Sequence, residues 1–301
     1  CTSSAASDVY KRQTRAINHL TVTTIGLKEC IKKVSEASQF NNRHGQLPLG
    51  RGIGIACSAY LTGAGLPIYW NKMPHSGVQM KIDRGGGVTV FCGSTDIGQG
   101  SDSVLATIVA EEFSIDPEQV IVVTADTDLT PVDLGSYSSR VTLMTGNASI
   151  EACRPLKEKL RAAAAEVFQC TPESLTLSEG RVVSLRDTSK TVDFAEAVQW
   201  AEAKFGTLGS VGSYTPPRRG GKFKGAGVGP SPNYSYSACV AEVECDPETG
   251  IYQVHKLWLA HDVGRSINPV QVMGQVEGSA YMGLGEVMME EQVFRRGLHK
   301  I

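Results

Sequence analysis

The stretch that organises this chain is Gly93-Ser94-Thr95-Asp96-Ile97-Gly98-Gln99-Gly100. The apolar run 88–91 comes before it, and the run 101–113 after it places apolar residues at helical spacing. This pattern predicts a strand, a sharp turn and a helix. Glycines let a backbone turn tightly and approach a ligand closely, and a helix start offers unpaired N–H groups to an anion. Gln99 adds a side chain that both donates and accepts hydrogen bonds.

The overall composition excludes several classes of protein. The 301 residues carry 29 basic and 31 acidic side chains, so no general attraction to nucleic acid or to a membrane is expected. No stretch approaches the roughly 20 apolar residues of a membrane span, and no signal peptide is visible. The eight cysteines include no CxxC pair. We therefore expect a cytoplasmic protein whose cysteines are reduced core residues, with no metal site built from this chain alone.

Alternating and apolar runs predict strands elsewhere in the chain. Residues 78–83 and 88–92 flank a glycine-rich turn and predict a hairpin, and residues 175–187 predict a smaller one. Two longer strands, 236–245 and 251–260, are joined by a turn-forming segment. Together with the helical patterns between them, these runs predict an α+β fold with mixed sheets and packed helices.

A second informative stretch precedes a long predicted helix. Ser136, Ser138 and Ser139 stand just before Arg140. Hydroxyls, backbone N–H groups and a guanidinium at a helix start suit a phosphate. Serines also collect at helix starts as caps, so the residues alone leave both interpretations open.

A third stretch begins at Asn268-Pro269, a pair typical of a helix start. The predicted helix reaches about Met289 and contains four glycines, each costing roughly 1 kcal/mol relative to alanine. We expect close packing on a backbone or a ligand to offset that cost. Gln275 lies beside one of these glycines. The acidic residues near the end of this helix are interpreted as a solvated end: Glu286, Glu290 and Glu291.

Two weaker features have ordinary interpretations. The basic, glycine-rich segment 216–224 suits an anionic substrate tail, but a solvated loop is the favoured interpretation. His255 and His261 have no partner at metal-ligand spacing, and we take them as structural.

These motifs occur in the order seen in one known family. Gly93 to Gly100, Gly135-Ser-Tyr-Ser-Ser-Arg-Val-Thr142 with Gly146-Asn-Ala148, and Asn268-Pro with Gly274-Gln-Val-Glu-Gly278 resemble the large subunits of molybdenum hydroxylases. These are the xanthine dehydrogenase and aldehyde oxidase type. Within that family, Gly135 to Arg140 and Gly45-Gln-Leu-Pro-Leu-Gly-Arg-Gly52 most resemble the 4-hydroxybenzoyl-CoA reductase alpha subunit.

The resemblance implies a molybdenum–molybdopterin cofactor, with the cytosine dinucleotide form as one option. The molybdenum is held through the pterin, so no protein side chain ligates it. The implied cofactor-binding residues are Gly98, Gln99, Gly100, Ser138, Ser139, Arg140 and Gln275. Ser138, Ser139 and Arg140 would lie at the phosphate end, and Gln275 beside the pterin. The family's catalytic general base is a glutamate further along, so no catalytic residue is assigned here.

The resemblance also implies a domain plan. Residues 1–13 fit no element and are interpreted as a non-native tail, and the end at residue 301 as a truncation. Residues 14–75 would end a first molybdopterin-binding domain, and residues 76–301 would belong to a second.

The expected activity is that of a molybdenum-dependent oxidoreductase, most simply reductive dehydroxylation of 4-hydroxybenzoyl-CoA or a related aromatic. One alternative is an oxidative hydroxylase acting on xanthine, an aldehyde or an N-heterocycle. Another is a cofactor-free α+β scaffold domain. The resemblance implies iron–sulfur and FAD subunits as partners, in a heterotrimer that dimerises, and a small aromatic substrate.

Overall fold

The structure of this chain, a computed structural model, describes residues 14–15, 21–22, 25–63, 73–216, 233–295 and 298–299. The predicted tail and residues 217–224 of the basic segment lie outside these ranges. The chain divides into two compact units, Cys1–Val263 and Gly264–Ile301.

The helices of the described part are α1 (Leu27–Ser38), α2 (Phe40–Arg43), α3 (Ser101–Phe113), α4 (Val141–Phe168), α5 (Phe194–Phe205) and α6 (Pro269–Met288). The strands are β1 (Thr14–Arg15), β2 (Thr21–Val22), β3 (Arg51–Thr62), β4 (Ser76–Ile82), β5 (Val88–Cys92), β6 (Val120–Val123), β7 (Leu175–Ser178), β8 (Arg181–Ser184), β9 (Thr191–Asp193), β10 (Gly209–Tyr214), β11 (Asn233–Cys245), β12 (Tyr252–Asp262), β13 (Phe294–Arg295) and β14 (Leu298–His299). The predicted mixture of helices and sheets is confirmed.

A four-stranded sheet in the order β10–β4–β5–β6 organises the first unit. The predicted hairpin is confirmed, since β4 and β5 pair antiparallel with Val78 opposite Cys92. Strand β6 lies parallel to β5, and α3 makes the connection between them. This strand–helix–strand unit directs the segments after β5 and after β6 to the same edge of the sheet.

The larger hydrophobic core lies between this sheet and its helices. Helix α4 packs against β10, α3 and α5. A Cβ on Gly212 would lie 2.1 Å from the Ala148 carbonyl oxygen, so a glycine is required where β10 approaches α4. The fully buried apolar side chains of this core include Val90, Leu105, Phe113, Leu156 and Leu160.

A second sheet, in the order β12–β11–β3, forms a smaller core with α1. The predicted long hairpin is confirmed in β11 and β12, which pair antiparallel around the Asp246 turn. Strand β3 pairs with the other edge of β11, although about 170 residues separate them in sequence. The predicted smaller hairpin is also present, in β7 and β8 of a three-stranded meander.

The second unit contains α6. Asn268 is its N-cap, since the Asn268 side chain accepts a hydrogen bond from the Gln271 N–H at 3.1 Å, as predicted. No residue of α6 is buried, and a Cβ on each of its four glycines would meet no described atom within 4 Å. The packing on a backbone or a ligand that was expected to offset the glycines stays a prediction. None of the described helices has the length and apolar character needed to cross a membrane.

Candidate functional site

The candidate site lies at the carboxyl ends of the parallel strands β5 and β6. Residues 93–100, which we call the first loop, follow β5 and lead into α3. Residues 124–140, the second loop, follow β6 and lead into α4. Because β5 and β6 are parallel, both loops leave the same edge of the sheet. The predicted strand–turn–helix arrangement is confirmed in β5, the first loop and α3.

The two loops are joined directly by Ser136 and Thr95. The Ser136 hydroxyl accepts a hydrogen bond from the Thr95 N–H at 2.9 Å and donates one to the Thr95 carbonyl at 2.6 Å. Gly93 permits this approach, because a Cβ there would lie 2.3 Å from the Pro131 carbonyl oxygen. Two sequence motifs 41 residues apart thus form one surface.

The N–H groups at the start of α3 are bound within the protein. The carboxylate of Asp96 accepts hydrogen bonds from the N–H groups of Gly98 at 2.8 Å, Gly100 at 3.2 Å and Asp102 at 3.2 Å. Burial acts to raise the pKa of Asp96, but these N–H groups outweigh it and lower that pKa below its ordinary value. The chain's own carboxylate therefore occupies the N–H groups of Gly98, Gly100 and Asp102, which the sequence suggested for an anion or a polar oxygen.

Gln99 shapes the first loop with its side chain. Its amide nitrogen donates to the Thr95 carbonyl at 3.2 Å and to the Ser101 hydroxyl at 2.9 Å. Its amide oxygen accepts from the Ile97 N–H at 2.6 Å. Gly98 and Gly100 on either side have φ values of +102° and +79°, which favour glycine. A Cβ on Gly98 would meet no described atom within 4 Å.

Ser138 and Ser139 adopt an uncommon conformation in the second loop. Their φ values are +48° and +51°, in the left-handed region that non-glycine residues rarely occupy. Gly63 donates its N–H to the Ser139 carbonyl at 2.9 Å. Neither hydroxyl makes a hydrogen bond within the described part of the chain, and Ser139 is exposed. Strain of this kind clusters at functional sites.

The serines do not cap α4. Its N-cap residue is Arg140, without a side-chain cap hydrogen bond, and the Ser136 hydroxyl is used on Thr95. The capping interpretation of these serines is therefore wrong.

Arg140 lies inside the protein rather than at its surface. Its side chain is 0% exposed and pairs with Asp133, also 0% exposed, at 2.5 Å. The guanidinium also donates to the carbonyls of Gly135 at 2.5 Å and His75 at 2.8 Å, and to the Ser76 hydroxyl at 3.1 Å. The sequence reasoning expected this cation to meet a phosphate. The structure instead gives both Nη atoms protein acceptors, while the buried Nε has no hydrogen-bond partner within the described residues.

The remaining predicted residues lie at the surface of their elements. Gln275 is an exposed residue of α6 in the second unit. The three glutamates near the end of α6, Glu286, Glu290 and Glu291, are exposed, as predicted. His255 lies 2.5 Å from Glu244 on the open side of the second sheet, and burial lowers the pKa of His261. Within the described residues, no group of three or more His, Cys, Asp or Glu side chains is arranged to hold a metal ion.

Sequence reasoning missed Asp96, Asp102, Asp133 and the role of Ser136. A recognisable signal existed for two of them, because Asp96 and Asp133 each stand two residues before a glycine and accept its N–H. An aspartate that bonds the backbone two residues on is a common turn signature. Asp102 is half-buried and accepts from the Thr124 hydroxyl at 3.3 Å. Burial and the nearby charge of Asp96 raise the pKa of Asp102, and Thr124 opposes that rise.

Known proteins resemble this chain in sequence. Residues 28–300 match the family model described as molybdopterin cofactor-binding domain. The 6-hydroxypseudooxynicotine dehydrogenase complex subunit gamma of Paenarthrobacter nicotinovorans is 32% identical over 245 residues, covering 81% of this chain and 29% of the relative. A putative xanthine dehydrogenase molybdenum-binding subunit of Escherichia coli is 27% identical over 280 residues, covering 90% of this chain and 35% of the relative.

Solved structures agree on the fold. Carbon monoxide dehydrogenase from Oligotropha carboxidovorans superposes with a TM-score of 0.79 at 22% identity, covering 98% of this chain and 37% of that one. Quinoline 2-oxidoreductase from Pseudomonas putida 86 gives 0.76 at 22% identity, covering 92% of this chain and 36% of that one. The chain thus spans about a third of the length of these proteins. It belongs to the molybdopterin cofactor-binding domain family, within the large subunits of the xanthine dehydrogenase and carbon monoxide dehydrogenase type of molybdenum hydroxylase.

Proposed function

We propose that the joined first and second loops hold a molybdopterin cofactor in a molybdenum-dependent oxidoreductase. The observation that carries this proposal is the Ser136–Thr95 link, which brings the two motifs into one surface at the carboxyl ends of β5 and β6. The hydroxyls of Ser138 and Ser139, which have no hydrogen-bond partner within the described part of the chain, fit a polar ligand rich in acceptors and donors.

Each residue has a proposed role. Gly98 and Gly100 present backbone at close range, and Gln99 keeps the first loop in its shape. Ser138 and Ser139 offer hydroxyls to the phosphate end, and Gln275 is proposed to contact the pterin. When bound, the cofactor supplies the redox chemistry, while the protein supplies binding, orientation and hydrogen bonds. No residue of this chain is proposed as the general base.

The oxidative direction is the favoured activity. Several relatives are named as dehydrogenases or hydroxylases of nitrogen-containing compounds, including a xanthine dehydrogenase subunit and the nicotine 6-hydroxylase large subunit of P. nicotinovorans. We therefore place hydroxylation of an N-heterocycle or an aldehyde ahead of reduction. Reductive dehydroxylation of 4-hydroxybenzoyl-CoA is the second candidate, supported by the segments Gly45–Gly52 and Gly135–Arg140 alone.

The proposed partners are an iron–sulfur subunit and an FAD subunit, in a heterotrimer that dimerises. The names of the relatives support a multi-subunit assembly, since they include a complex subunit gamma, a large subunit and a large chain. A cytoplasmic location is proposed because the seven described cysteines are all free thiols, as is usual in a reducing compartment.

The cofactor proposal is tested on the full-length natural protein that carries this chain, purified with its partners. Molybdenum is measured by mass spectrometry and pterin by the fluorescence of its oxidised form. We expect both in the wild type and a clear loss of both in Gly98→Val. Gly45→Val is the matched control, because Gly45 also has a positive φ and open space but lies outside the loops. Wild-type protein without molybdenum and pterin would favour the cofactor-free scaffold instead.

The same preparation separates the two reaction directions. Turnover of purines, N-heterocycles or aldehydes with an electron acceptor would support oxidation. Turnover of 4-hydroxybenzoyl-CoA with a low-potential electron donor would support reduction. Loss of either activity in Gly98→Val, but not in Gly45→Val, would connect it to the first loop.

A further inference from the structure

We infer that Asp133 and Arg140 form a buried positioning pair that fixes both loops of the proposed cofactor site, and that Arg140 is not an anion ligand. The expected effect on cofactor binding rests on the proposed function, whereas the positioning role rests on the contacts that this pair makes. Both side chains are 0% exposed, and the Arg140 Nη1 lies 2.5 Å from the Asp133 Oδ1. A buried guanidinium paired with a carboxylate forms a net-neutral pair, which attracts a further anion only weakly.

The pair is anchored to the start of β4. The Arg140 Nη2 donates to the His75 carbonyl at 2.8 Å and to the Ser76 hydroxyl at 3.1 Å. The Ser76 hydroxyl in turn donates to the Asp133 Oδ2 at 2.5 Å. Asp133, Arg140 and Ser76 therefore form a closed ring of polar contacts between the sheet and the second loop. Rings of this kind hold one geometry, because breaking any contact leaves a buried polar group without its partner.

The ring also fixes the backbone that precedes Ser136. Asp133 accepts the Gly135 N–H at 2.8 Å, and Arg140 donates to the Gly135 carbonyl at 2.5 Å. Both the N–H and the carbonyl of Gly135 are thus hydrogen-bonded to the buried pair, and its φ is +107°. The next residue, Ser136, is the one that carries both hydrogen bonds to Thr95 in the first loop. The contact between the loops therefore depends on the geometry set by the buried pair.

The same pair also fixes one end of the turn formed by Ser138 and Ser139. Ser138 and Ser139 stand between Ser136, held on Thr95, and Arg140, held in the ring. Non-glycine residues stay in the left-handed region only where their surroundings over-determine the conformation. The fixed ends supply that constraint. Loss of the Asp133 contacts is expected both to relax this turn and to weaken the hydrogen bonds between Ser136 and Thr95.

Asp133→Asn separates the two possible roles of Arg140 by the sign of its effect. If Arg140 were an anion ligand held back by Asp133, removing the carboxylate charge would free it and slow the loss of cofactor. If Arg140 positions the loops through Asp133, the same change weakens the ring and speeds that loss. The control is Glu151→Gln, which makes the same chemical change in an exposed pair with Arg154 on α4.

The experiment uses the full-length protein with its partners, and it follows the release of molybdenum and pterin over time. We expect Asp133→Asn and Ser136→Ala to speed release about tenfold, the low end for a lost outer-shell contact. Glu151→Gln should leave the rate unchanged, and Ser136→Thr, which keeps the hydroxyl, should restore it. Because Asp133 acts through Ser136, the double variant should release cofactor about as fast as the faster-releasing single variant, and no faster.

A second measurement is independent of cofactor. Amide hydrogen exchange of the cofactor-free protein should rise in residues 94–101 in both Asp133→Asn and Ser136→Ala, while exchange in the core of α4 stays protected. Slower release in Asp133→Asn, or unchanged exchange in residues 94–101, would overturn the inference. If wild-type protein contains no cofactor, the proposed function fails while the exchange measurement still decides the positioning role. If Asp133→Asn does not fold, Ser76→Ala carries the test, because it removes one member of the ring and should also raise exchange in residues 94–101 of the cofactor-free protein.

Discussion

The carboxylate of Asp96 accepts a hydrogen bond from the backbone N–H of Asp102 at 3.2 Å, so two acids share the start of α3. Their pKa values move in opposite directions. For Asp96, burial acts to raise the pKa, but hydrogen bonds from backbone N–H groups lower it overall. For Asp102, burial and the charge of Asp96 raise the pKa. The ionised Asp96 carboxylate therefore stabilises the helix start, whereas ionisation of Asp102 destabilises the folded state.

Substituting each acid should change stability in opposite directions at pH 7. Asp96→Ala removes the acceptor of three backbone N–H groups before and within the first turn of α3. It should lower the free energy of unfolding by about 0.5–2 kcal/mol, the range for losing a side chain that binds N–H groups at a helix start. Asp102→Asn removes the buried charge and its repulsion with Asp96, and should raise the thermal midpoint. The midpoint of each variant against wild type at pH 7 checks both. A lower midpoint for Asp102→Asn would contradict the account.

The pH dependence of these two variants follows from the pKa directions. The folded-state pKa of Asp96 lies below its ordinary value of 3.8, so its stabilisation is present above that pH and fades as the pH falls further. The folded-state pKa of Asp102 lies above 3.8, so its penalty grows as the pH rises through that value. The gain in Asp102→Asn should therefore shrink on acidification from pH 7 to pH 4, while the deficit in Asp96→Ala should persist over that range.

Two glycines of β10 should respond very differently to alanine. A Cβ on Gly212 would lie 2.1 Å from the Ala148 carbonyl and 2.5 Å from the Ala152 nitrogen, both in the backbone of α4. Gly212→Ala should therefore cost at least about 1–3 kcal/mol, because a helix backbone cannot move aside cheaply. Gly209→Ala is the control, since its nearest contact would be an ordinary 3.5 Å. Denaturant unfolding of both variants provides the measurement, and equal stability of the two would show that β10 and α4 are not in this contact.

The cysteines should label in a defined order. Burial raises the pKa of the Cys92 thiol to about 11 and that of Cys153 to about 12. At pH 8, a thiol of pKa 11 is ionised about a hundredfold less than one of pKa 9, and only the thiolate reacts with iodoacetamide. Cys57 is exposed and should react before the other six described cysteines in the folded chain. Mass spectrometry before and after unfolding checks this order, and native labelling of Cys92 at the rate of Cys57 would refute it.

These cysteines also show where composition misleads. The cysteines were expected to be core residues, but of the seven described only Cys30, Cys92 and Cys153 are buried. The sequence carries no signal for which face of a strand will be covered, because that depends on the element packed against it. Cys57 lies on β3, where the run 54–60 is exposed.

Local patterns determined much of this protein. The hairpin of β4 and β5, the turn of the first loop, the helix after it and the Asn268 cap follow from neighbouring residues, since periodicity and turn chemistry act over a few positions. The three ordered motifs also determined the family, confirmed by the match over residues 28–300. Turn glycines are needed wherever the backbone takes a positive φ, so they can be recognised without tertiary context.

Only the tertiary structure decided what those motifs contact. Arg140 looked like a cation at an open helix start, yet it is enclosed with Asp133 and bonds the His75 carbonyl 65 residues away. The N–H groups of the first loop looked free, yet Asp96 binds them. A charged side chain is enclosed or exposed according to the partners that distant segments bring to it. Desolvating a guanidinium is tolerable only where a carboxylate and several carbonyls converge, and no single stretch of sequence contains that arrangement.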